Sequence, residues 1–390
     1  MRIAYFKCTS LEHGGGLEKY YIEVVSKLCE SKNVHADVIS LDDNFTDRIT
    51  DAWSIFSLKR MDRKHSYKDN LEDVRRRLGK GKYYKAKNIT ELRQYLQDYD
   101  IVYSKNELLE TFILKFFVKY KNVPPVVMGG HTPLVYPGAT SKYAKLHNYL
   151  YTNSLYKFFA SNVDSIHALN EYEENLYKQL FPKKKVYKIF NPFDTNSFKH
   201  DAVKYIHKNR AELLDDKINI LYVGRFTEQK GIDRLVDVID LVNSDATLRK
   251  KIRWVICGDG ELRTLINDAS TRHANVKYLG SVEPKYIAGV YEACQIHVCT
   301  SRWEGYPYVL LEPQAFGLKT FAYPIPGAID ILSSYEGGTL CNDSNAMAAN
   351  IREYCQLSKD EMVRYKPSSQ SNPKIVYEKI LNMLMEVVKK

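Results

Sequence analysis

Two glutamates, Glu304 and Glu312, stand eight residues apart in the stretch SRWEGYPYVLLEPQAFG, residues 301–317. Carboxylates accept hydrogen bonds from hydroxyls or act as acids and bases, and their surroundings select between these roles. Ahead of them, Ile296 to Thr300 reads as a buried strand, Ser301–Pro307 as a turn, and Pro307 as a helix opening. Val309, Leu310, Leu311, Ala315 and Phe316 then turn to the core, and Gly317 stops the helix. This places Glu304 on a loop at the carboxyl end of a strand and predicts Glu312 between one and two turns into the helix. Open α/β sheets bind ligands at such an edge. The backbone N–H groups of Gly305, Tyr306 and Tyr308 can receive an anion there, phosphate above all. Two acceptors flanking a phosphate cradle suit a polyhydroxylated, phosphorylated ligand such as a nucleotide sugar. Their place at a helix junction serves hydroxyl binding better than the attack on both faces of a sugar that a hydrolase pair performs.

Cationic partners come from VGRFTEQKG, residues 223–231. A strand ends at Gly224 and a helix is expected from about Lys230, so Arg225 and Lys230 can converge on a diphosphate; ordinary ion pairing is the alternative. Further strand-to-helix turns follow at Cys257-Gly258-Asp259-Gly260-Glu261 and Leu279-Gly280-Ser281-Val282. The small residues Gly224, Gly258, Gly260 and Val282 at successive strand ends leave room for a base and a ribose. In the first half, Gly14-Gly15-Gly16 follows the first strand and opens a helix at Leu17, which lets backbone approach a phosphate or sugar closely. Its spacing is not GxGxxG, which removes support for a nicotinamide or flavin cofactor. His13 and Glu18 flank this turn and either meet a polar acceptor or are merely exposed. Gly129-Gly130-His131 ends another strand, and His131 is either structural or, if two sheet edges face one another, part of a cleft.

The elements that position these residues alternate strand and helix along the whole chain, the mark of parallel, doubly wound α/β sheets. Strands are expected at Ile3–Phe6, Ala36–Leu41, Ile101–Tyr103, Val126–Met128, Ser165–Ala168 and Val186–Phe190. The pattern restarts with Ile218–Gly224, then Arg253–Cys257, Val276–Leu279, Ile296–Thr300, Lys319–Ala322 and Thr339–Cys341. A chain of 390 residues is long for one core, and two domains of roughly 150–200 residues are expected. The division is 1–190, a hinge at 191–217, 218–372, and a C-terminal amphipathic helix at 373–390 that acts as a packing element. Residues 44–90 fit the alternation worst and read as an excursion that carries basic surface.

Hydrophobic residues make up 44% of the chain, as in an ordinary globular protein. Its seven cysteines form no CxxC pair and no zinc-type cluster, and read as small buried hydrophobes in a reducing compartment. No run approaches the roughly 20 apolar residues of a membrane span, and the start reads as a strand, so a cytoplasmic protein is expected. Charge is uneven: residues 1–190 carry 31 Lys and Arg against 22 Asp and Glu, and the remainder 26 against 25. The basic excess of the first half is interleaved with aromatics such as Phe116, Phe117, Tyr149 and Phe158. Such a face is a solvated surface or docks on anionic lipid; no nucleic-acid motif accompanies it, so no nucleic-acid partner is expected.

Taken together, these motifs resemble the GT-B glycosyltransferases of family 4, the retaining nucleotide-sugar transferases. The resemblance is carried by GGGLE at 14–18, GGH at 129–131, IFNPFD at 189–194, VGRFTEQKGID at 223–233, CGDGEL at 257–262, YLGSV at 278–282 and EGYPYVLLEPQAFG at 304–317. It implies two Rossmann-like domains facing across a cleft, and transfer of a hexose-type sugar from a UDP- or GDP-sugar to a hydroxyl, without cofactor or metal. By this resemblance Arg225 and Lys230 hold the donor diphosphate and Glu312 the ribose. Glu304 binds the transferred sugar, with the Gly305–Tyr306 amides near the phosphates. His131 and the Gly14–Gly16 loop lie beside the donor sugar and the acceptor. Pro313 stands where the family commonly has alanine, a difference expected to alter only local packing. The acceptor reading, a glycan or lipid-linked oligosaccharide at the inner face of a membrane, follows from the basic, aromatic first half. A catalytically silent partner of another transferase, and a sugar-nucleotide epimerase or hydrolase, are the alternatives.

Overall fold

The computed structural model describes residues 1–13, 16–43, 70–118, 124–138, 141–205 and 211–389. The chain divides into two compact units, residues 1–192 with 374–390, and residues 193–373. In the first unit β1 (Arg2–Lys7), β2 (His35–Leu41), β3 (Tyr83–Ala86), β4 (Ile101–Lys105), β5 (Val126–Gly129), β6 (Ser165–Ala168) and β7 (Lys185–Lys188) form one parallel sheet. Its order is β3-β2-β1-β4-β5-β6-β7. Parallel sheets are covered on both faces, and β1 shows it. Ala4 and Phe6 enter one apolar cluster with Val102 and Ile166, while Ile3 and Tyr5 enter another with Tyr20, Val24 and Tyr103. The helix Pro373–Val388 completes the second cluster: Val376, Ile380, Met383, Leu384 and Val387 recur at helical spacing along one face and are buried there.

The second unit holds β8 (Ile218–Val223), β9 (Ile252–Cys257), β10 (Val276–Gly280), β11 (Ile296–Cys299), β12 (Lys319–Ala322) and β13 (Gly338–Leu340), all parallel, in the order β10-β9-β8-β11-β12-β13. Both sheets are α/β and doubly wound, as expected. The segment 191–217 is not structureless. It carries the helix Thr195–Lys204, capped by the Asp194 carboxylate on the Ser197 N–H at 2.9 Å, and Phe198 rings meet Phe193, Tyr291 and Phe316 of the second unit. Within 44–90, strand β3 escaped the sequence reading because four residues, two of them half-buried, give too short a period to detect. All seven cysteines are buried and none is in a disulfide. Among the described residues no helix is long and apolar enough to cross a membrane.

Candidate active site

Strand order reverses in the second sheet between β8 and β11, so the loops that leave these two strands lie side by side at the carboxyl edge. The first loop brings Lys230 and the second brings Glu304, with Lys230 Nζ 2.5 Å from Glu304 Oε1. The carboxylate is held from two further directions: Ser301 Oγ donates to Oε1 at 3.1 Å and Gln229 Nε2 to Oε2 at 3.3 Å. Both side chains keep a little solvent access, 13% for Lys230 and 11% for Glu304. Backbone contacts lock the loops together: Thr300 Oγ1 donates to Lys230 O at 2.9 Å and Arg302 N to Gln229 O at 2.7 Å. Arg302 also forms a bidentate pair with Asp233, at 2.8 and 2.5 Å, and donates to Glu228 O.

Gly231 permits this closeness. It sits at φ +64°, and a Cβ there would lie 2.1 Å from the Thr300 carbonyl oxygen. The expected helix from Lys230 is accordingly split into a 3-10 turn, Glu228–Lys230, the left-handed Gly231, and a helix Ile232–Asn243. Beneath the pair, His297 of β11 is fully buried, and neither ring nitrogen has a hydrogen-bond partner among the described residues. Burial, reinforced by the Lys230 charge, pushes its pKa down to about 3, so the ring is neutral.

Arg225 lies on the same loop as Lys230, exposed and without an ion pair among the described residues. Glu312 is half-buried and accepts the Tyr291 hydroxyl on Oε2 at 2.8 Å. Its helical setting differs from expectation. A 3-10 turn, Tyr308–Leu310, is followed by a separate short helix, Glu312–Ala315, so Glu312 opens a helix rather than lying inside one. Pro313 is the reason: it has no N–H to donate to Val309, and its ring is tolerated only in a first turn. Pro313 thus stands in the first turn of a separate short helix rather than inside a continuous one. Gly317, at φ +67°, ends it as expected.

Gly305 lies against Gly327, whose Cβ would come within 2.4 Å of the Gly305 carbonyl. The Tyr306 side chain turns inward, its hydroxyl 3.0 Å from Ser371 Oγ. Gly258 and Gly260 do not open room for a ligand; they let backbones touch. A Cβ on Gly258 would lie 1.8 Å from Gly224 O and one on Gly260 2.6 Å from Phe226 O, and Phe226 N donates to Asp259 O at 2.8 Å across this contact. Gly280, at φ +72° with nothing within 4 Å, is the turn glycine here that borders open space. Val282 is half-buried two residues beyond it.

In the first unit, Glu18 is neither exposed nor unengaged: it pairs with the fully buried Lys7. Burial is the largest single influence and raises the Glu18 carboxyl, but the Lys7 charge and hydrogen bond, a backbone hydrogen bond and the Lys105 charge together hold the pKa below the ordinary value. Gly16 begins the helix Gly16–Leu28. Gly14, Gly15 and the His13 side chain lie outside the described residues. His131 is half-buried, with its ring 4.4 Å from that of Tyr20 and Nε2 2.9 Å from Tyr103 Oη. Its neighbouring glycines serve packing: a Cβ on Gly129 would lie 2.2 Å from Tyr103 Oη, and one on Gly130 3.0 Å from the Tyr177 ring.

The structure thus joins Lys230 with Glu304 in the second unit and leaves Arg225 and Glu312 on neighbouring segments of that unit. Sequence reasoning missed Gln229, Ser301, Gly231, Tyr291 and the Arg302–Asp233 pair. Gly231 alone carried a signal, a glycine where a helix start would ordinarily have a side-chain cap.

Residues 204–368 match the family Glycosyl transferases group 1. An uncharacterised 41.2 kDa protein in the cps region of Klebsiella pneumoniae is 28% identical over 194 residues, 49% of this chain and 51% of that protein. The amylovoran biosynthesis glycosyltransferase of Erwinia amylovora is 27% identical over 168 residues, 41% of this chain and 43% of that protein. The chain spans about half the length of the curated relatives it matches. Among solved structures, HepE of Anabaena in complex with UDP superposes with a TM-score of 0.68 over 99% of this chain and all of that one, at 15% identity. The fold is therefore GT-B, two Rossmann-like units in one chain.

Proposed function

We propose that this chain, which carries a group 1 glycosyltransferase domain over residues 204–368 on a GT-B fold, is a retaining glycosyltransferase. It moves a hexose-type sugar from a UDP- or GDP-sugar to a hydroxyl of a glycan or lipid-linked acceptor. The Lys230–Glu304 pair carries this reading. In a nucleotide sugar the diphosphate is bonded directly to the anomeric carbon, so charge and hydroxyls lie within a few ångströms of each other. A lysine and a glutamate in contact match that adjacency: on donor entry Lys230 exchanges its carboxylate for the diphosphate, and Glu304 exchanges its ammonium for sugar hydroxyls. Arg225, exposed on the same loop, adds a second cation for the diphosphate, and Glu312, anchored by Tyr291, presents its other oxygen to the ribose. The chemistry then rests on holding the donor in place and stabilising charge on the departing diphosphate through Lys230, Arg225 and backbone amides, with no cofactor or metal assigned a step. UDP is favoured as the nucleotide because HepE binds it on the same fold. Polysaccharide assembly is favoured as the setting because the Erwinia amylovora relative is named for it.

The acceptor side rests on the first unit. Phe116, Leu155, Phe158 and Tyr149 are exposed there, on elements that also carry the exposed Lys142, Lys145 and Lys157, and Lys115 Nζ lies 4.0 Å from the Phe158 ring centroid. Exposed apolar side chains on lysine-bearing elements suit the headgroup zone of an anionic membrane, which supports a protein that works at the cytoplasmic face on a lipid-linked acceptor.

A thermal-shift screen with UDP-, GDP- and ADP-sugars identifies the donor. With that donor, Lys230→Ala and Glu304→Gln are each expected to lower kcat/KM about a hundredfold or more, and the anomeric configuration of the product is expected to match the donor's. Unchanged turnover in either variant overturns the assignment. Release of free sugar or an epimerised donor without acceptor favours the hydrolase or epimerase reading instead.

A further inference from the structure

The turn that carries Lys230 is docked carbonyl by carbonyl on the loop that carries Glu304. Glu228 O accepts from Arg302 Nη1 at 3.0 Å, Gln229 O from Arg302 N at 2.7 Å, and Lys230 O from Thr300 Oγ1 at 2.9 Å. The next residue is Gly231, left-handed at φ +64° and without a side-chain cap on the helix Ile232–Asn243 that follows. Glycine loses more conformational freedom on folding than any other residue, so the angle between this turn and that helix is not set locally. Arg302 sets it from outside. Its guanidinium holds Glu228 O on one side of Gly231 and both carboxylate oxygens of Asp233, in the first turn of the helix, on the other. A planar, forked cation can do this because its N–H groups diverge at fixed angles. The Arg302 side chain is 15% exposed and that of Asp233 51%. A pair with one partner that open adds little to stability, so its contribution lies in where it places the turn.

We propose that Arg302 and Asp233 are positioning residues that splint the break at Gly231 and so fix the reach of Lys230 toward Glu304 and toward the donor diphosphate. The inference rests on the transferase reading above for its ligand, but not for the splint. On that reading donor entry parts Lys230 from Glu304, so their direct contact cannot hold the two loops in register during the reaction. The splint uses no atom of either side chain and persists when they part. It therefore keeps Lys230 aimed while charge develops on the departing diphosphate, where a misplacement of about 1 Å lowers the rate on the order of a hundredfold.

The test has a stability arm and an activity arm, both on the full chain. In the first, Tm is measured for Lys230→Ala, Glu304→Gln and the double variant, in the wild-type and the Arg302→Gln backgrounds. In the wild-type background the double variant is expected to depart from the sum of the single shifts by about 2 °C or more. With Arg302→Gln that departure is expected to fall to less than about half. In the second arm, assayed well below every Tm with the donor found by thermal shift, Arg302→Gln alone is expected to lower kcat/KM about tenfold, mainly through kcat. Added to Lys230→Ala, it is expected to lower kcat/KM by no more than about twofold. A residue that only stabilised the fold would act equally in both backgrounds. If Arg302→Gln fails to fold, Asp233→Asn carries the same expectations, since it removes the far anchor of the splint and leaves the contact with Glu228 O. An equal departure in both backgrounds overturns the splint. Activity losses that multiply, or a lost departure with unchanged kcat/KM, overturn the positioning of Lys230. A lost departure in a protein that turns over no nucleotide sugar leaves the splint standing and removes the transferase reading.

Discussion

Lys230 and Glu304 are 74 residues apart in the chain and 2.5 Å apart in space. Their types were legible, because a lysine and a glutamate each follow a strand pattern at a glycine-bearing turn. Their pairing was not, because nothing local says that β11 lies beside β8. The same limit hid Glu173, whose chemistry exists only in the folded state. It is 2% exposed, and among the described residues neither carboxylate oxygen has a hydrogen bond of ordinary geometry. Burial, opposed in part by the nearby Leu134 backbone, raises its pKa to about 8. A carboxyl whose folded pKa lies above its unfolded value contributes stability below the unfolded value and loses it as pH rises through the folded one. The window here runs from about pH 4.5 to 8. Glu173→Gln, an isostere of the neutral acid, is therefore expected to leave Tm near the wild-type value at pH 5 and to raise it by about 4 °C or more at pH 8.5, measured by thermal denaturation. An equal Tm difference at both pH values would show that Glu173 does not titrate in this window.

Elements were easier to place than their breaks. The helix Glu171–Leu180 opens on Asn170, whose side chain accepts from the Glu173 N–H at 2.8 Å, a cap of the kind a sequence signals. The breaks at Gly231 and Pro313 were harder, because a motif residue is read first for its chemistry and only then for its φ. Both sit in the segments that hold the candidate site, where a rule of regular structure is broken in favour of geometry. At this scale the exposed face formed by the turn Leu114–Val118 and the helices Lys142–Thr152 and Ser154–Phe159 is the surface proposed to meet lipid. In liposome flotation the protein is expected to rise with vesicles containing anionic lipid and to stay below with purely neutral ones. Phe158→Ser with Leu155→Ser is expected to weaken binding about tenfold or more, since each buried apolar side chain is worth roughly 1.5–3 kcal/mol. Equal failure to float with both vesicle types removes the membrane reading.

At the scale of the whole molecule, the division of the chain is not a simple cut. The last helix returns to the first unit, where Val376, Ile380, Met383, Leu384 and Val387 are each at most 4% exposed. At about 1.5–3 kcal/mol apiece, their burial is comparable to the 5–15 kcal/mol net stability of a typical domain. Residues 1–192 alone are expected not to fold by circular dichroism and NMR dispersion, and fusion of 374–390 to them is expected to restore folding; a dispersed spectrum from 1–192 alone would refute this. An amphipathic helix was plain in the sequence, but periodicity says which face is buried and not which core buries it. What the sequence by itself determined is the local part: alternating strands and helices, glycine turns at strand ends, and the charged residue types at those turns. These depend on neighbours a few positions apart, where propensity and periodicity act. Tertiary structure alone decided the partners: Lys230 with Glu304, Arg302 with Asp233, glycines set for backbone contact, and the last helix in the first core. Each depends on strand order and on atoms that meet across long sequence separations, which no local pattern encodes.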